Sequence, residues 1–326
     1  MNSSSNFKKP YIIAEIGSNF NQDYKLGCEL IRQAKNCGAN AVKFQLFKAQ
    51  KLYPNDKKMF KIFKSIELKQ KMFLKFYNFA KKVGIDISAS VFDTSSARFL
   101  NNLKIKFNKI ASSEISNLNL LNFLAKTGKP IFLSTGMSNL EDIKQAVNIF
   151  KRNKNFNIFI LQCGSLYPLK HTKCNLNVLK TFRKNFNLSL GFSDHTLDGT
   201  AAIVSTGLGA VVFEKHFTLN KKLTGPDHFY AMEPKEFKIY VKNIKNAFKT
   251  LGSGKKDLLP EEKLNSRREG LYYKKDLRKN EILTENKVAY KSPPKGLTPA
   301  YLKGLLSKKL KVDVKKDKPI ELKHFK

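Results

Sequence analysis

The chain has 326 residues, 41% hydrophobic and 11% aromatic, which excludes a disordered polymer and allows a substantial core. Lys and Arg number 61 against 26 Asp and Glu, a formal net charge of +35. No apolar run approaches the roughly eighteen residues of a membrane-spanning helix, and the opening MNSSSNFKKP lacks the apolar stretch of an export signal, so a cytoplasmic protein is expected.

From the N-terminus, short apolar runs alternate with segments of helical spacing. The runs are YIIAE (11–15), AVKFQ (41–45), IDISAS (85–90), FNKIAS (107–112), PIFLST (130–135), IFILQC (158–163), LSLGFSD (188–194) and AVVFEKH (210–216). Between the first two, Leu26, Leu30, Ile31, Ala34 and Cys37 form one stripe that ends at Gly38. Asn139 is an N-cap with Glu141 and Asp142 in the first turn, and Pro234 opens a helix whose apolar face runs from Phe237 to Leu251. Eight strands alternating with helices over about 250 residues predict a (β/α)₈ TIM barrel, an α/β fold; a doubly wound open sheet is the competing topology.

After LGSGKK the character changes. GLYYKK, EILTENKVAY and LKVDV are strand candidates around a short helical stretch near Pro299 to Leu306. This is a small, mainly β appendage, marginal on its own and therefore expected to dock or dimerise. The expected division is a barrel over 1–260, a linker over 261–270 and the appendage over 271–326.

A barrel places its chemistry at the C-terminal ends of its strands. Those ends carry Glu15, then Lys43 and Gln45, then Ser90, then Lys109, Ser112 and Glu114, then Ser134. The last three carry Cys163 to Tyr167, then Ser193, Asp194 and His195, then Glu214, Lys215 and His216. Lys43 and Lys109 with the hydroxyls of Ser90, Ser112 and Ser134 suit a phosphate plus a carboxylate. The alternative is that the lysines merely pair with Glu15 and Glu114. His195 and His216 end adjacent strands, where two imidazoles can share Mn²⁺ or Mg²⁺, with Glu214 and Asp194 flanking them as acceptors. Asp227 and His228 lie on the loop beyond the eighth strand and either reach the same mouth or form a turn. Cys163 reads as a buried thiol before a nucleophile. Cys28, Cys37, Cys163 and Cys174 show no paired spacing and are expected reduced. The lysines are spread along the chain, so a nucleic-acid partner is not expected despite the charge, and neither is a membrane; a non-catalytic polyanion-binding protein, motivated by the +35 charge, is the alternative of another class.

The phrases AEIGSNFNQD, AVKFQ, KIASSE, PIFLSTGM, CGSLYP, GFSDHTLD, FEKHFT and GPDH occur in that order. Together they resemble the sialic acid synthase family, which condenses phosphoenolpyruvate with an N-acylated amino sugar to a nine-carbon 2-keto acid. The resemblance covers nearly the whole chain and makes the tail a SAF (antifreeze-like) domain. It implies a homodimer in which the SAF domain of one chain caps the barrel of the other. It also implies phosphoenolpyruvate binding by Lys43, Ser90, Lys109, Ser112, Ser134 and Ser193. A divalent ion, Mn²⁺ first with Mg²⁺ or Co²⁺ as alternatives, falls to His195 and His216. Glu15 becomes a catalytic carboxylate beside them, and Gln45, Glu114, Tyr167, Glu214 and Asp227 become contacts to the amino sugar or its surroundings. N-acetylmannosamine or a 2,4-diacetamido hexose is the implied acceptor; pseudaminic-type or phosphorylated aldoses are the alternatives. Where the family commonly shows Arg-Pro-Gly-x-Gly in the SAF segment, this chain reads KSPPKG, with Ser292 at the Arg position.

Overall fold

The computed structural model describes residues 9–264 and 268–325, and the chain divides into two compact units, Met1–Ser253 and Gly254–Lys326. In the first unit, β1 (Tyr11–Gly17), β2 (Ala41–Leu46), β3 (Asp86–Val91), β4 (Asn108–Ile110), β5 (Ile131–Ser134), β6 (Ile158–Cys163), β7 (Ser189–Asp194) and β8 (Ala210–His216) close into one parallel barrel. The expected TIM barrel is therefore present, and strand β8 pairs with β1 to complete it, with Glu15 opposite His216. The apolar runs match these strands to within a residue or two, except that the fourth is only three residues long.

Helices follow the strands: α1 (Tyr24–Asn36) after β1, then α2 (Ala49–Leu52), α3 (Lys57–Ser65) and α4 (Gln70–Val83) between β2 and β3. Beyond them come α5 (Thr94–Asn101), α6 (Leu118–Ala125), α7 (Leu140–Arg152), α8 (Val178–Phe186), α9 (Thr200–Gly207) and α10 (Pro234–Thr250). Their starts are chemically marked. Asp23 caps α1 by accepting from Lys25 and Leu26 N–H groups, Asn139 and Asp142 form a full capping box on α7, and Pro234 is the first residue of α10. Helix α1 presses so close to α4 that a Cβ on Gly27 would lie 2.3 Å from the Phe76 ring, so only glycine fits there.

Strand alternation explains both the core and the site. Residues two apart share a face. In the lower barrel the inward positions are Tyr11, Ile13, Ala41, Phe107, Phe132, Phe159, Leu161 and Val212, which form their own buried cluster. Phe107 stacks on Phe132 at 4.4 Å, and Phe132 meets Phe159 edge-on at 5.0 Å. Continuing each strand in the same phase brings Glu15, Lys43, Lys109, Ser134, Cys163, Ser193, Glu214 and His216 inward one or two steps above that plug, and every one of them is buried. The outward positions pack on the helices in the larger core.

The second unit pairs β9 (Gly270–Tyr273) with β10 (Val288–Lys291) antiparallel, and adds isolated bridges such as Leu277 to Val314 and Ile282 to Lys309. Its core is Leu271, Tyr273, Leu277, Leu283, Val288, Leu302, Leu305, Leu310, Val314, Ile320 and Phe325. Of the expected linker, residues 265–267 lie outside the described residues, and 260–264 form a short helix. Among the described residues no helix is long and apolar enough to cross a membrane.

Candidate active site

A small cavity at the C-terminal end of the barrel is lined by residues from all eight strands or the turns after them. On one side, Lys43 on β2 donates to Ser90 Oγ at 2.7 Å and stands 2.8 Å from Glu15 Oε2. Lys109 on β4 donates to Ser134 Oγ at 2.7 Å and to the Ile110 carbonyl at 3.1 Å. Glu214 Oε1 lies between the two ammonium groups, 3.8 Å from Lys43 and 3.7 Å from Lys109, and accepts from Ser193 Oγ at 3.4 Å. The two lysines therefore point into one space, with hydroxyls from the alternate strands β3, β5 and β7 around them. Ser112 joins them from the turn after β4 and accepts from the Gly136 N–H at 3.0 Å.

The carboxylates divide their roles. Burial pushes Glu15 up to about 7, against the pull of Lys43. For Glu214, burial pushes up as well, but Lys109 and Lys43 win and hold it below the ordinary value. Near neutral pH Glu15 thus carries a proton part of the time while Glu214 stays ionised, a separation of acid from anion by environment. Burial pushes both lysines down; Glu15 and Glu214 overcome this at Lys43, whose net displacement is upward, but not at Lys109. Two ammonium groups facing one committed carboxylate leave positive charge for an anionic ligand.

The other side is built from rings. His195 Nδ1 lies 2.7 Å from the Gly164 carbonyl oxygen, which can only accept, so Nδ1 carries the hydrogen. His216 lies 5.5 Å away between ring centroids, and its Nδ1 faces Tyr230 Oη at 3.4 Å. Tyr167 packs over His195 at 4.2 Å and against Tyr230 at 5.3 Å. With Nδ1 engaged on each imidazole, Nε2 offers its lone pair in the neutral form, the donor set of an open two-histidine metal site; burial pushes His195 down but the Cys163 thiol outweighs it, so an ion must displace a proton there. Burial, reinforced by His195 and Lys43, pushes His216 well down, so its imidazole is neutral, the form that binds metal. Among the described residues no group of three or more His, Cys, Asp or Glu side chains is arranged around one ion, so the fit is to two protein ligands with oxygen donors completing the shell.

Other expectations fare differently. Gln45 donates to Glu15 Oε1 at 3.0 Å. Asp227 stands beside the mouth without lining the cavity, accepting from Tyr230 Oη at 2.7 Å and Ser18 Oγ at 3.4 Å. Gly17, at φ +54°, is what admits it: a Cβ there would sit 3.2 Å from Asp227 Oδ2 and 3.3 Å from Glu15 Oε1. His228 faces away, bonded to Thr218 at 2.7 Å and Asn21 at 3.2 Å. Glu114 sits on the turn after β4, accepting from Asn117 Nδ2 at 2.8 Å and Ser113 Oγ at 3.2 Å, off the cavity lining. Lys109 pairs with Glu214 rather than with Glu114.

Asp194 does not serve the histidines as an acceptor. Alternation turns it, with Lys215, to the outside of the barrel, where Lys215 Nζ stands 3.3 Å from Asp194 Oδ2 and 5.6 Å from the Tyr240 ring centroid. Asp194 Oδ1 accepts from the Thr196 N–H at 2.8 Å and hydroxyl at 2.7 Å. Cys163 is the buried strand-end thiol expected, but its place in the cavity wall was not foreseen, and Tyr230 escaped the sequence altogether. Cys163 lines the cavity 3.9 Å from His195 Nδ1; burial pushes its thiol up, but His195 and Ser112 carry it below the ordinary value. Its phase with Phe159 and Leu161 was the available signal. Tyr230, on a loop, offered none.

The comparisons agree with this geometry. The NeuB family model matches residues 30–256 and the SAF domain model residues 268–326. The chain is 38% identical to the N,N'-diacetyllegionaminic acid synthase of Campylobacter jejuni, over 96% of this chain and 99% of that one. It is 33% identical to the human N-acetylneuraminate-9-phosphate synthase, over 95% and 91%. Among solved structures, the N-acetylneuraminic acid synthetase of Leptospira borgpetersenii, in complex with citrate, superposes with a TM-score of 0.75 at 31% identity, over 79% of this chain and 90% of that one. A closed eight-strand barrel followed in sequence by a small β unit, with matches of this extent to both parts, places the chain in the NeuB family as an enzyme of the sialic acid synthase type.

Proposed function

We propose that the protein condenses phosphoenolpyruvate with N-acetylmannosamine or a related 2,4-diacetamido hexose, giving a nine-carbon 2-keto acid and phosphate. The observation that carries this reading is the convergence of Lys43 and Lys109 on one cavity that the His195–His216 pair also lines. The anionic substrate lies against the two ammonium groups and the hydroxyls of Ser90, Ser112, Ser134 and Ser193, which fix its phosphate and carboxylate. This aims the enol carbon at the histidine side. A divalent ion held there by His195 and His216, Mn²⁺ first with Mg²⁺ or Co²⁺ as alternatives, would supply Lewis-acid polarisation of the acceptor's aldehyde oxygen.

Carbon–carbon bond formation joins the enol carbon to the aldehyde carbon and leaves positive character on the carbon that bears the phosphate oxygen. Glu214, ionised and buried, stabilises that charge. Water adds at this carbon, and phosphate leaves with cleavage of the C–O bond. Glu15 exchanges a proton with the adding water; its raised pKa suits that role near neutral pH. Tyr167 and Gln45 meet the acceptor, with Asp227 behind them.

The human relative's name raises a second acceptor class, a phosphorylated hexosamine. Incubation with phosphoenolpyruvate, Mn²⁺ and a panel of acylated hexosamines, with and without a terminal phosphate, separates the two by mass detection of the product acid. Phosphate release without any nine-carbon acid would refute condensation. We further propose a homodimer, which light scattering checks as twice the chain mass.

A further inference from the structure

Tyr230 touches both a buried carboxylate and a histidine, and no sequence motif assigns it a role. It ends the short 3-10 turn His228–Tyr230, with Asp227 as the residue before that turn. In such a turn residues three apart stack on one side, so Asp227 and Tyr230 face the same way. The loop is fixed to the end of β8: the Met232 N–H donates to the His216 carbonyl at 2.9 Å, and the Thr218 N–H to the Met232 carbonyl at 3.0 Å. Tyr230 is 4% exposed, and its ring lies 4.9 Å from that of His216.

A phenol has one proton to donate. Tyr230 Oη is 2.7 Å from Asp227 Oδ1 and 3.4 Å from His216 Nδ1, so the proton goes to the carboxylate, the stronger and nearer acceptor. The oxygen's lone pair then faces Nδ1, which can satisfy it only as an N–H donor. Ser18 Oγ on the other carboxylate oxygen, at 3.4 Å, holds Asp227 in place.

We propose that Tyr230 is a positioning residue: a relay from Asp227 through the Tyr230 hydroxyl to His216 Nδ1 fixes the tautomer in which His216 Nε2 is free to ligate a divalent cation. The Gly164 carbonyl does the same for His195, so one ligand is oriented by the main chain and the other by a side-chain relay. Only the relay can be cut by mutation. This inference rests on the two-histidine metal reading.

The test is Mn²⁺ binding by the full-length protein, read from the electron paramagnetic resonance signal of free Mn²⁺. Tyr230→Phe keeps the ring and removes the hydroxyl. It is expected to weaken Mn²⁺ binding about tenfold, the lower end for an outer partner of a metal ligand, with the melting temperature and the affinity for phosphoenolpyruvate in metal-free protein unchanged. Asp227→Asn is expected to weaken Mn²⁺ similarly, and the double variant little further, because the two groups act in series. Equal Mn²⁺ affinity in wild type and Tyr230→Phe overturns the relay while the metal site stands. Loss of Mn²⁺ and phosphoenolpyruvate affinity together, with a lowered melting temperature, overturns it as a packing effect. No Mn²⁺ binding by the wild type removes the metal reading and the relay with it.

Discussion

The mouth of the barrel has two halves of unlike chemistry. From β2 to β5 it presents ammonium groups and hydroxyls, Lys43 on Ser90 and Lys109 on Ser134 at the same 2.7 Å. From β6 to β8 and the loops after them it presents rings, with Tyr167, His195, His216 and Tyr230 all within 6 Å of a neighbouring ring in the set, while Ser193 and Glu214 reach from β7 and β8 to the lysine side. The first half is placed almost entirely by strand alternation, so its charges sit on the most rigid part of the fold. The second depends on loops for Tyr167 and Tyr230 and on strand ends for the histidines. A fixed anion cradle facing a ring wall built partly from loops suits one constant substrate and one variable acceptor.

The largest expected effect is on the ring side. His195→Ala or His216→Ala should lower turnover by about 10³-fold or more, the scale of removing a principal electrostatic group, with the circular dichroism spectrum unchanged. Full activity in excess chelator would contradict the division into halves. Next comes the cradle. Lys109→Met should raise the phosphoenolpyruvate KM by about 10- to 100-fold, the worth of one or two hydrogen bonds to a charged group, and leave Mn²⁺ affinity alone. An equal loss of both ligands would mean that the halves are not separable.

A third change sharpens the contrast between the inner and outer faces of β7 and β8. Lys215→Met leaves Asp194 buried beside no cation and should cost about 3–5 kcal/mol in urea unfolding. Replacing both partners with apolar residues should recover part of it; a double variant no more stable than the single one would argue against the pair as the cause.

The smallest effect is on pH dependence. The Glu15 pKa is raised to about 7 by burial, so between the ordinary value of 4.5 and about 7 the folded state holds a proton that the unfolded chain has released. Stability contributed by this group is therefore present below about pH 4.5 and lost as pH rises through 7. Glu15→Gln should flatten that decline in urea unfolding between pH 5 and 8; an unchanged slope would assign it to another group.

The two halves were also unequally legible in the sequence. Eight apolar runs each ending in a polar residue were enough to place the barrel, and they placed Lys43, Lys109, Glu15, Glu214 and both histidines at its mouth, because a period of two and a strand end leave little freedom. The same period, applied strictly, would have turned Asp194 and Lys215 outward and Cys163 inward. Tyr230 was hidden because its position depends on a 3-10 turn after β8, which no periodicity marks. In the second unit, the KSPPKG segment carries Lys291 beside Ser292, and its ammonium is held by Asp317, a pairing between residues 26 apart that local pattern does not reveal.

The central claim is that bound phosphoenolpyruvate and a histidine-held cation face each other across one cavity. The ³¹P NMR relaxation of phosphoenolpyruvate on the Mn²⁺-loaded protein tests it directly. Strong paramagnetic broadening that vanishes in the His195→Ala/His216→Ala variant, with phosphoenolpyruvate still bound, is the predicted result. Bound phosphoenolpyruvate whose phosphorus signal is insensitive to Mn²⁺, or broadened equally in that variant, would contradict it.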